Sequence, residues 1–198
     1  MSDIGFEIWP PHEVFYIHSM LFNTASAMTS LRHLKNLFAT LSTEGTRDPL
    51  SNLDQDDVLN NLQNVVLQGG AISRYFWPVR KGHERRADLL RKACEIGDDS
   101  PLKNRDLRNA IEHFDEKLDS YLADGIAGYI FPQYVGPQLK TGGIRGHIFR
   151  AYYIDIGMFE LLGHRYEIVP LANEIDRVHR QLERCFENGG RLVPPGDK

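Results

Sequence analysis

Apolar residues recur at intervals of three and four over two long stretches near the start of the chain, and this spacing constrains the fold more than any other feature. One series covers residues 13–41 and a second covers residues 53–76. Because an α-helix turns once every 3.6 residues, this spacing gathers apolar side chains on one face. We therefore predict two long helices, joined by a polar loop at residues 42–52, with the second ending before Pro78.

Three further helices are predicted along the chain. A short third helix spans about residues 83–95, where Leu89, Leu90 and Cys94 form an apolar stripe. A fourth runs from Ser100-Pro101 to about Ala123, because serine is a favoured N-cap residue and proline fits the first helical position. A last amphipathic helix follows Pro170.

The segment before the last helix has a different pattern. Residues 126–146 are rich in glycine and proline and are predicted to be irregular, whereas residues 148–161 are rich in aromatic and β-branched side chains. Together with residues 165–169 they predict a β-hairpin that turns near Gly163. The expected fold class is mainly α, a four-helix bundle with a C-terminal β-hairpin and final helix.

The domain organisation follows from this order of elements. Residues 1–124 are expected to form the helical bundle. Residues 125–198 are expected to supply the irregular segment, the β-hairpin and the C-terminal helix packed on the bundle, within one domain.

Composition favours a cytoplasmic protein with its own core. The chain has 198 residues, of which 41% are hydrophobic, enough to bury a core without disulfide bridges. No segment reaches the roughly 18 apolar residues that cross a membrane, and no basic, apolar signal sequence opens the chain. Cys94 and Cys185 lack a CxxC spacing and are expected to be reduced and packed.

Any attraction to nucleic acid must come from a local patch, because the net charge is −4. The candidate RNA-binding residues are the basic side chains Arg74, Arg80, Lys81, Arg85, Arg105 and Arg145. In the run 74–81 aromatic rings alternate with cations, so the run either follows RNA or closes the core with its rings. The glycine-rich loop 140–147 either cradles an anion or is a plain connection, and it lacks the spacing of a P-loop.

The fourth helix carries the residues with the most specific chemistry. Its apolar seam leaves Arg108 and His113 on the two flanks of one polar face, with Asn109 between them. Histidine can move a proton near neutral pH, and arginine can hold the charge that grows on an attacked phosphate. Two such helices facing each other across a twofold axis would bring two copies of each group into one cleft. Those groups suffice to cleave RNA, whose 2′-hydroxyl is an internal nucleophile.

The run Arg108-Asn109-Ala110-Ile111-Glu112-His113 on the last long helix of a bundle resembles the motif of the HEPN superfamily. That motif is Arg, four to six residues, then His, with Asn, Asp or His commonly after the Arg. The resemblance covers about residues 10–124. It implies a homodimeric, metal-independent endoribonuclease that needs no cofactor, in which Arg108, Asn109 and His113 are catalytic. It also implies a toxin or phage-defence role, with RNA as substrate and an antitoxin or regulatory protein as partner.

An alternative keeps the helix without the catalysis. Arg108 is four residues from Glu112, and His113 is four from Lys117, so the motif residues can be solvated or ion-paired side chains of an amphipathic helix. The protein is then a catalytically silent helical module that binds nucleotides or another protein. The histidines form no HxxxH or HExxH pair, so the sequence predicts no metal site.

Overall fold

The computed structural model describes residues 6–43, 53–139 and 146–196. The predicted loop at residues 42–52 therefore lies almost wholly outside the described residues. So do most of the glycine-rich loop 140–147 and the candidate RNA-binding residue Arg145.

The described residues are mainly helical, which confirms the predicted class. The helices are a 3-10 turn at Pro10–His12, α1 at Glu13–Thr43, α2 at Gln55–Phe76, α3 at Glu84–Ala93, a 3-10 turn at Pro101–Lys103, α4 at Asp106–Glu112, α5 at Phe114–Ala123 and α6 at Val169–Glu187. The helices α1 and α2 match the two segments predicted from apolar spacing to within two residues at each end.

Within the described residues, one sheet of four strands accompanies the helices. The strands are β1 at Tyr129–Gly136, β2 at Gly146–Tyr153, β3 at Met158–Leu161 and β4 at His164–Glu167, in the order β1-β2-β3-β4. The strands β1 and β2 are parallel, and the two later pairs are antiparallel. Leu162 and Gly163 connect β3 to β4 and have φ angles of 48° and 81°. Two consecutive positive φ angles are what a tight two-residue turn of the I′ type requires.

The prediction of an irregular segment over residues 126–146 is wrong for β1. Glycine and proline suggested a loop, yet Phe131 and Tyr134 of β1 pack on the cluster of Ile148, Ala151 and Tyr153. The proline within β1 is compatible with a strand because β1 is an outer strand of the sheet, where a missing N–H is tolerated. The predicted single strand over residues 148–161 is likewise divided into β2 and β3.

The prediction of one continuous fourth helix from Pro101 to Ala123 is also wrong. Ser100 does act as an N-cap, but it accepts a hydrogen bond from the Leu102 amide at 3.4 Å and so starts only a 3-10 turn. Asn104 then has extended backbone angles, and the α-helix begins at Asp106. A tertiary contact accounts for the interruption, because the next residue, Arg105, donates to the Trp77 carbonyl at 2.5 Å.

The chain forms two compact units, each built from separate segments. Unit 1 contains residues 1–29, 65–105 and 171–198, and unit 2 contains residues 30–64 and 106–170. In unit 1 the buried face of α6 includes Ile175, Val178 and Leu182, as its apolar spacing predicted. The predicted boundary at residue 124 stays a prediction.

A glycine of α2 allows close packing within unit 1. The helix α2 continues through Gly69. A Cβ at Gly69 would lie 3.3 Å from Cδ1 of both Leu171 and Ile175, which belong to α6. The missing side chain therefore lets α6 approach the backbone of α2.

A buried carboxylate stabilises the sheet of unit 2. Glu160 accepts hydrogen bonds from the Tyr153 hydroxyl at 3.2 Å and from Arg165 Nε at 2.8 Å. The Arg165 guanidinium also lies 5.2 Å from the centroid of the Tyr153 ring. Burial, followed by the charge of Glu160, raises the pKa of Tyr153 to about 12.

Both cysteines are free and buried in unit 1, which confirms the expectation of packed, unpaired thiols. Burial raises the pKa of the Cys94 thiol to about 12, so the reactive thiolate is strongly disfavoured. None of the helices in the described residues is both long and apolar enough to span a membrane.

Candidate functional site

The three predicted catalytic residues lie where α4 meets α5 in unit 2. Arg108 and Asn109 belong to α4, and His113 occupies the break between the helices, with φ −113° and ψ 38°. Helical hydrogen bonds continue on both sides, from the His113 amide to the Asn109 carbonyl at 3.0 Å and from the Lys117 amide to the His113 carbonyl at 3.2 Å. The break is therefore a kink in an otherwise helical path.

Contacts with the sheet hold the segment after the kink. The guanidinium of Arg150 on β2 lies 4.4 Å from the centroid of the Phe114 ring, the first residue of α5. Burial lowers the pKa of Arg150, as expected of a cation that is partly withdrawn from water. At the other end of α5, the Tyr121 hydroxyl hydrogen-bonds His147 Nδ1 at 2.8 Å. These contacts fix the orientation in which α5 leaves His113.

Arg108 is held by its own helix. Its Nη2 lies 2.5 Å from Glu112 Oε2, and its Nη1 donates to Asn109 Oδ1 at 2.9 Å. Only 16% of its side chain is exposed. The ion pair that the four-residue spacing allowed is therefore present, and a phosphate would compete with Glu112 for this guanidinium.

His113 differs from Arg108 in its exposure. Its side chain is 58% exposed, and its Nδ1 lies 3.7 Å from Glu116 Oε1. The alternative contact with Lys117 that the sequence suggested for this side chain is replaced by the pair with Glu116. An imidazole in this position can reach a substrate on the surface, and a nearby carboxylate can orient it.

Asn109 also borders a cavity that the sequence did not reveal. The cavity has a volume of about 450 Å³, and the described residues that line it are all polar, namely Asp106, Asn109, Lys117, His164, Arg165 and Tyr166. Five of these positions were not predicted as functional, because His164, Arg165 and Tyr166 were interpreted only as residues of the β-hairpin, and Asp106 and Lys117 only as helix residues.

A second cavity adjoins the first. It has a volume of about 320 Å³ and shares Lys117, His164 and Tyr166 with the polar cavity. Its other lining residues include the aliphatic side chains of Leu161, the last residue of β3, and Leu162, the first residue of the β3–β4 turn. The kinked α4–α5 segment and the β3–β4 strands therefore enclose a continuous concave surface within unit 2.

Comparison with known proteins adds no relative. No family model, no curated protein and no solved structure matches the chain.

The predicted RNA-binding residues that the structure describes lie in unit 1. Arg74, Arg80, Lys81 and Arg85 are exposed. Arg85 Nη1 lies 3.8 Å from Glu7 Oε2, with both side chains largely in solvent, so this pair contributes little to stability. Arg105 differs from the others, because it donates to the Trp77 carbonyl and to Ser73 Oγ inside the unit.

The aromatic residues beside these cations pack inward. Phe76 is fully buried, Tyr75 Oη hydrogen-bonds Ser19 Oγ at 2.6 Å, and the Phe76 and Trp77 rings meet edge to face. Phe76 therefore packs in the core of unit 1 with the partly buried Tyr75 and Trp77 beside it, while Arg74, Arg80 and Lys81 lie at the surface. Among the residues described, no group of three or more His, Cys, Asp or Glu side chains is arranged to hold a metal ion.

Proposed function

We propose that the protein is a metal-independent endoribonuclease of the HEPN type, acting in the cytoplasm as a homodimer. The observation that carries the proposal is the geometry of the α4–α5 kink. It presents His113 to solvent and places Arg108 and Asn109 on the preceding turns. We also propose that the helices form a four-helix bundle with a C-terminal hairpin and a final helix. The order and lengths of α1 to α6 support this arrangement.

In the proposed reaction the RNA strand supplies its own nucleophile. The 2′-oxygen bonds to the adjacent phosphorus while the bond from phosphorus to the 5′-oxygen breaks. His113 of one protomer accepts the proton of the 2′-hydroxyl while a water molecule protonates the leaving 5′-oxygen, so one His113 serves each reaction together with Arg108 of the other protomer. Arg108 stabilises the charge on the phosphate oxygens, and Asn109 positions the phosphate. The products are a 2′,3′-cyclic phosphate and a 5′-hydroxyl.

A cleavage assay with purified protein tests the proposal. We expect the wild type to cut labelled single-stranded RNA in the presence of EDTA and to leave 2′,3′-cyclic phosphate ends. His113→Ala and Arg108→Ala should be slower by about 100-fold or more, the usual contribution of a general acid–base or charge-stabilising residue. His12→Ala and Arg32→Ala are matched controls, because both residues are exposed and lie outside α4 and α5. Equal rates in all five proteins would contradict the proposal.

A silent module is the second candidate, and one observation favours it. The Arg108–Glu112 ion pair occupies the guanidinium that catalysis requires. In this alternative the chain binds a nucleotide or a partner protein without cutting RNA. RNA that stays intact with the wild type, together with saturable binding to the same RNA, would favour the module.

A toxin or phage-defence role, with an antitoxin or regulatory partner, predicts slower growth on expression of the wild type but not of His113→Ala.

A further inference from the structure

The two adjoining cavities of unit 2 contain recognition chemistry that the proposed reaction does not use. Lys117, His164 and Tyr166 line both cavities, and we call this surface the Lys117–His164–Tyr166 groove. Asn109 lines one of the two cavities and also belongs to the motif, so the groove borders the proposed site of cleavage.

The groove is equipped to bind phosphate. Lys117 on α5 is exposed and supplies an ammonium group. Arg165 binds Glu160 through Nε, but 44% of its side chain remains exposed. Ammonium and guanidinium groups are the usual partners of a phosphodiester, and His164 adds a further nitrogen on the same surface.

The remaining side chains suit a base and a ribose. The phenol ring of Tyr166 is partly buried and offers a face on which a base can stack, as aromatic residues do in proteins that bind single strands. The acidic residues Asp106 and Asp124 each line only one of the two cavities. The surface that both cavities share therefore includes the Lys117 ammonium group but neither of these carboxylates. A volume of about 450 Å³ lies in the range of pockets that hold small organic ligands, which includes nucleotides.

We propose that the Lys117–His164–Tyr166 groove binds one nucleotide of the single-stranded RNA substrate, next to the phosphate that is cut. Lys117 and Arg165 contact its phosphate, and the base stacks on Tyr166. The place of this nucleotide in the reaction rests on the proposed ribonuclease function, but its binding does not. The strand is favoured over a free nucleotide because the groove meets the motif at Asn109.

Fluorescence anisotropy with a labelled RNA oligonucleotide tests binding. All proteins carry His113→Ala, so that no strand is cut during the measurement. Tyr166→Leu should raise Kd about 5- to 150-fold, the range that stacking on an aromatic ring provides, whereas Tyr166→Phe should bind normally. Lys117→Gln should weaken binding and lower the slope of log Kd against log salt by about 0.7, the value for one lost single-strand phosphate contact. Lys35→Gln is the matched control, because Lys35 is exposed in unit 2 and lines neither cavity.

The possible results of this experiment test RNA binding by the groove independently of RNA cleavage. Unchanged Kd in both Lys117→Gln and Tyr166→Leu would overturn the inference, even if the wild type cuts RNA. Groove-dependent RNA binding by a wild type that never cuts would uphold the inference and reject the ribonuclease. Equal affinity for a 5′-mononucleotide and for the oligonucleotide, both dependent on Lys117, would overturn the assignment to a strand. Thermal unfolding of Tyr166→Leu shows whether that variant is folded. If it is not, the Kd of Lys117→Gln, which changes an exposed residue, decides whether the groove binds RNA.

Discussion

Arg108 and His113 differ in their availability to a substrate, although they belong to one motif. Glu112 lies 2.5 Å from Arg108 and keeps its guanidinium neutralised, whereas His113 is 58% exposed. In the proposed ribonuclease, Glu112 therefore competes with the RNA phosphate for the guanidinium.

We predict that Glu112→Gln accelerates RNA cleavage. A partly exposed ion pair contributes about 0.2–1 kcal/mol, so its removal should raise kcat/KM about 1.5- to 5-fold. The gain should vanish when Arg108→Ala is added, because the guanidinium is then absent. Asp119→Asn, which removes the same charge from an exposed position on α5, is the control. If Glu112→Gln is no faster than Asp119→Asn, the ion pair does not restrain Arg108.

At the scale of single residues the sequence predicted contacts that are close along the chain. The Arg108–Glu112 pair followed from the spacing of four on a helix. The proximity of Asn109 to His164 and Arg165 did not, because these residues lie more than fifty positions apart. The turn near Gly163 was predicted, but the packing of α5 that brings these residues to one surface leaves no signal in a single sequence.

Elements with a regular apolar period were predicted well, and elements set by tertiary contacts were not. The helices α1, α2 and α6 each have an apolar face long enough to identify. The interruption before α4 depends on the bond from Arg105 to the Trp77 carbonyl, which joins positions 28 residues apart. The strand β1 was missed because its packing on β2 outweighs its glycine and proline content.

The packing of α6 on α2 gives a prediction at this scale. Gly69→Val should lower the free energy of unfolding by about 1–3 kcal/mol, because the new side chain would overpack Leu171 and Ile175. Urea denaturation followed by circular dichroism measures the effect. Leu67→Val, at a neighbouring α2 position that is 37% exposed, is the control and should cost much less. Equal stability of Gly69→Val and the wild type would show that α6 can move away without loss.

For the molecule as a whole, buried acids of high pKa predict sensitivity to alkali. Burial raises the pKa of Cys94 and Tyr153 to about 12. The folded state therefore holds these protons more tightly than the unfolded chain does. The stabilisation is complete below the unfolded values, near pH 9 for the thiol and pH 10 for the phenol, and it is lost as the pH rises towards 12.

We accordingly expect the free energy of unfolding to fall between pH 9 and pH 11, as measured by urea denaturation at each pH. Tyr153→Phe should make this fall less steep, because one of the responsible groups is gone. Tyr129→Phe, which removes an exposed phenol, should leave the slope unchanged. A slope that is the same in Tyr153→Phe and in the wild type would rule out a contribution from Tyr153.

The composite site gives a second prediction for the whole molecule. If Arg108 of one protomer acts with His113 of the other, mixing the inactive variants Arg108→Ala and His113→Ala should restore about a quarter of the wild-type activity. Half of the dimers are then mixed, and one of two Arg–His combinations in each is complete. Unfolding the two variants together and refolding them ensures exchange of subunits. A mixture as inactive as its components, or a wild type that elutes as a monomer, would contradict the composite site.

The proline within β1 has a consequence beyond the monomer. An outer strand with a full row of free amide and carbonyl groups is a template on which the strand of another molecule can pair. Pro132 lacks the amide hydrogen, and its ring obstructs close pairing in the middle of the strand. The proline content that led to the prediction of a loop therefore disfavours pairing of β1 with a strand of another molecule. Without Pro132, the exposed side chains of Tyr129 and Ile130 would favour such pairing.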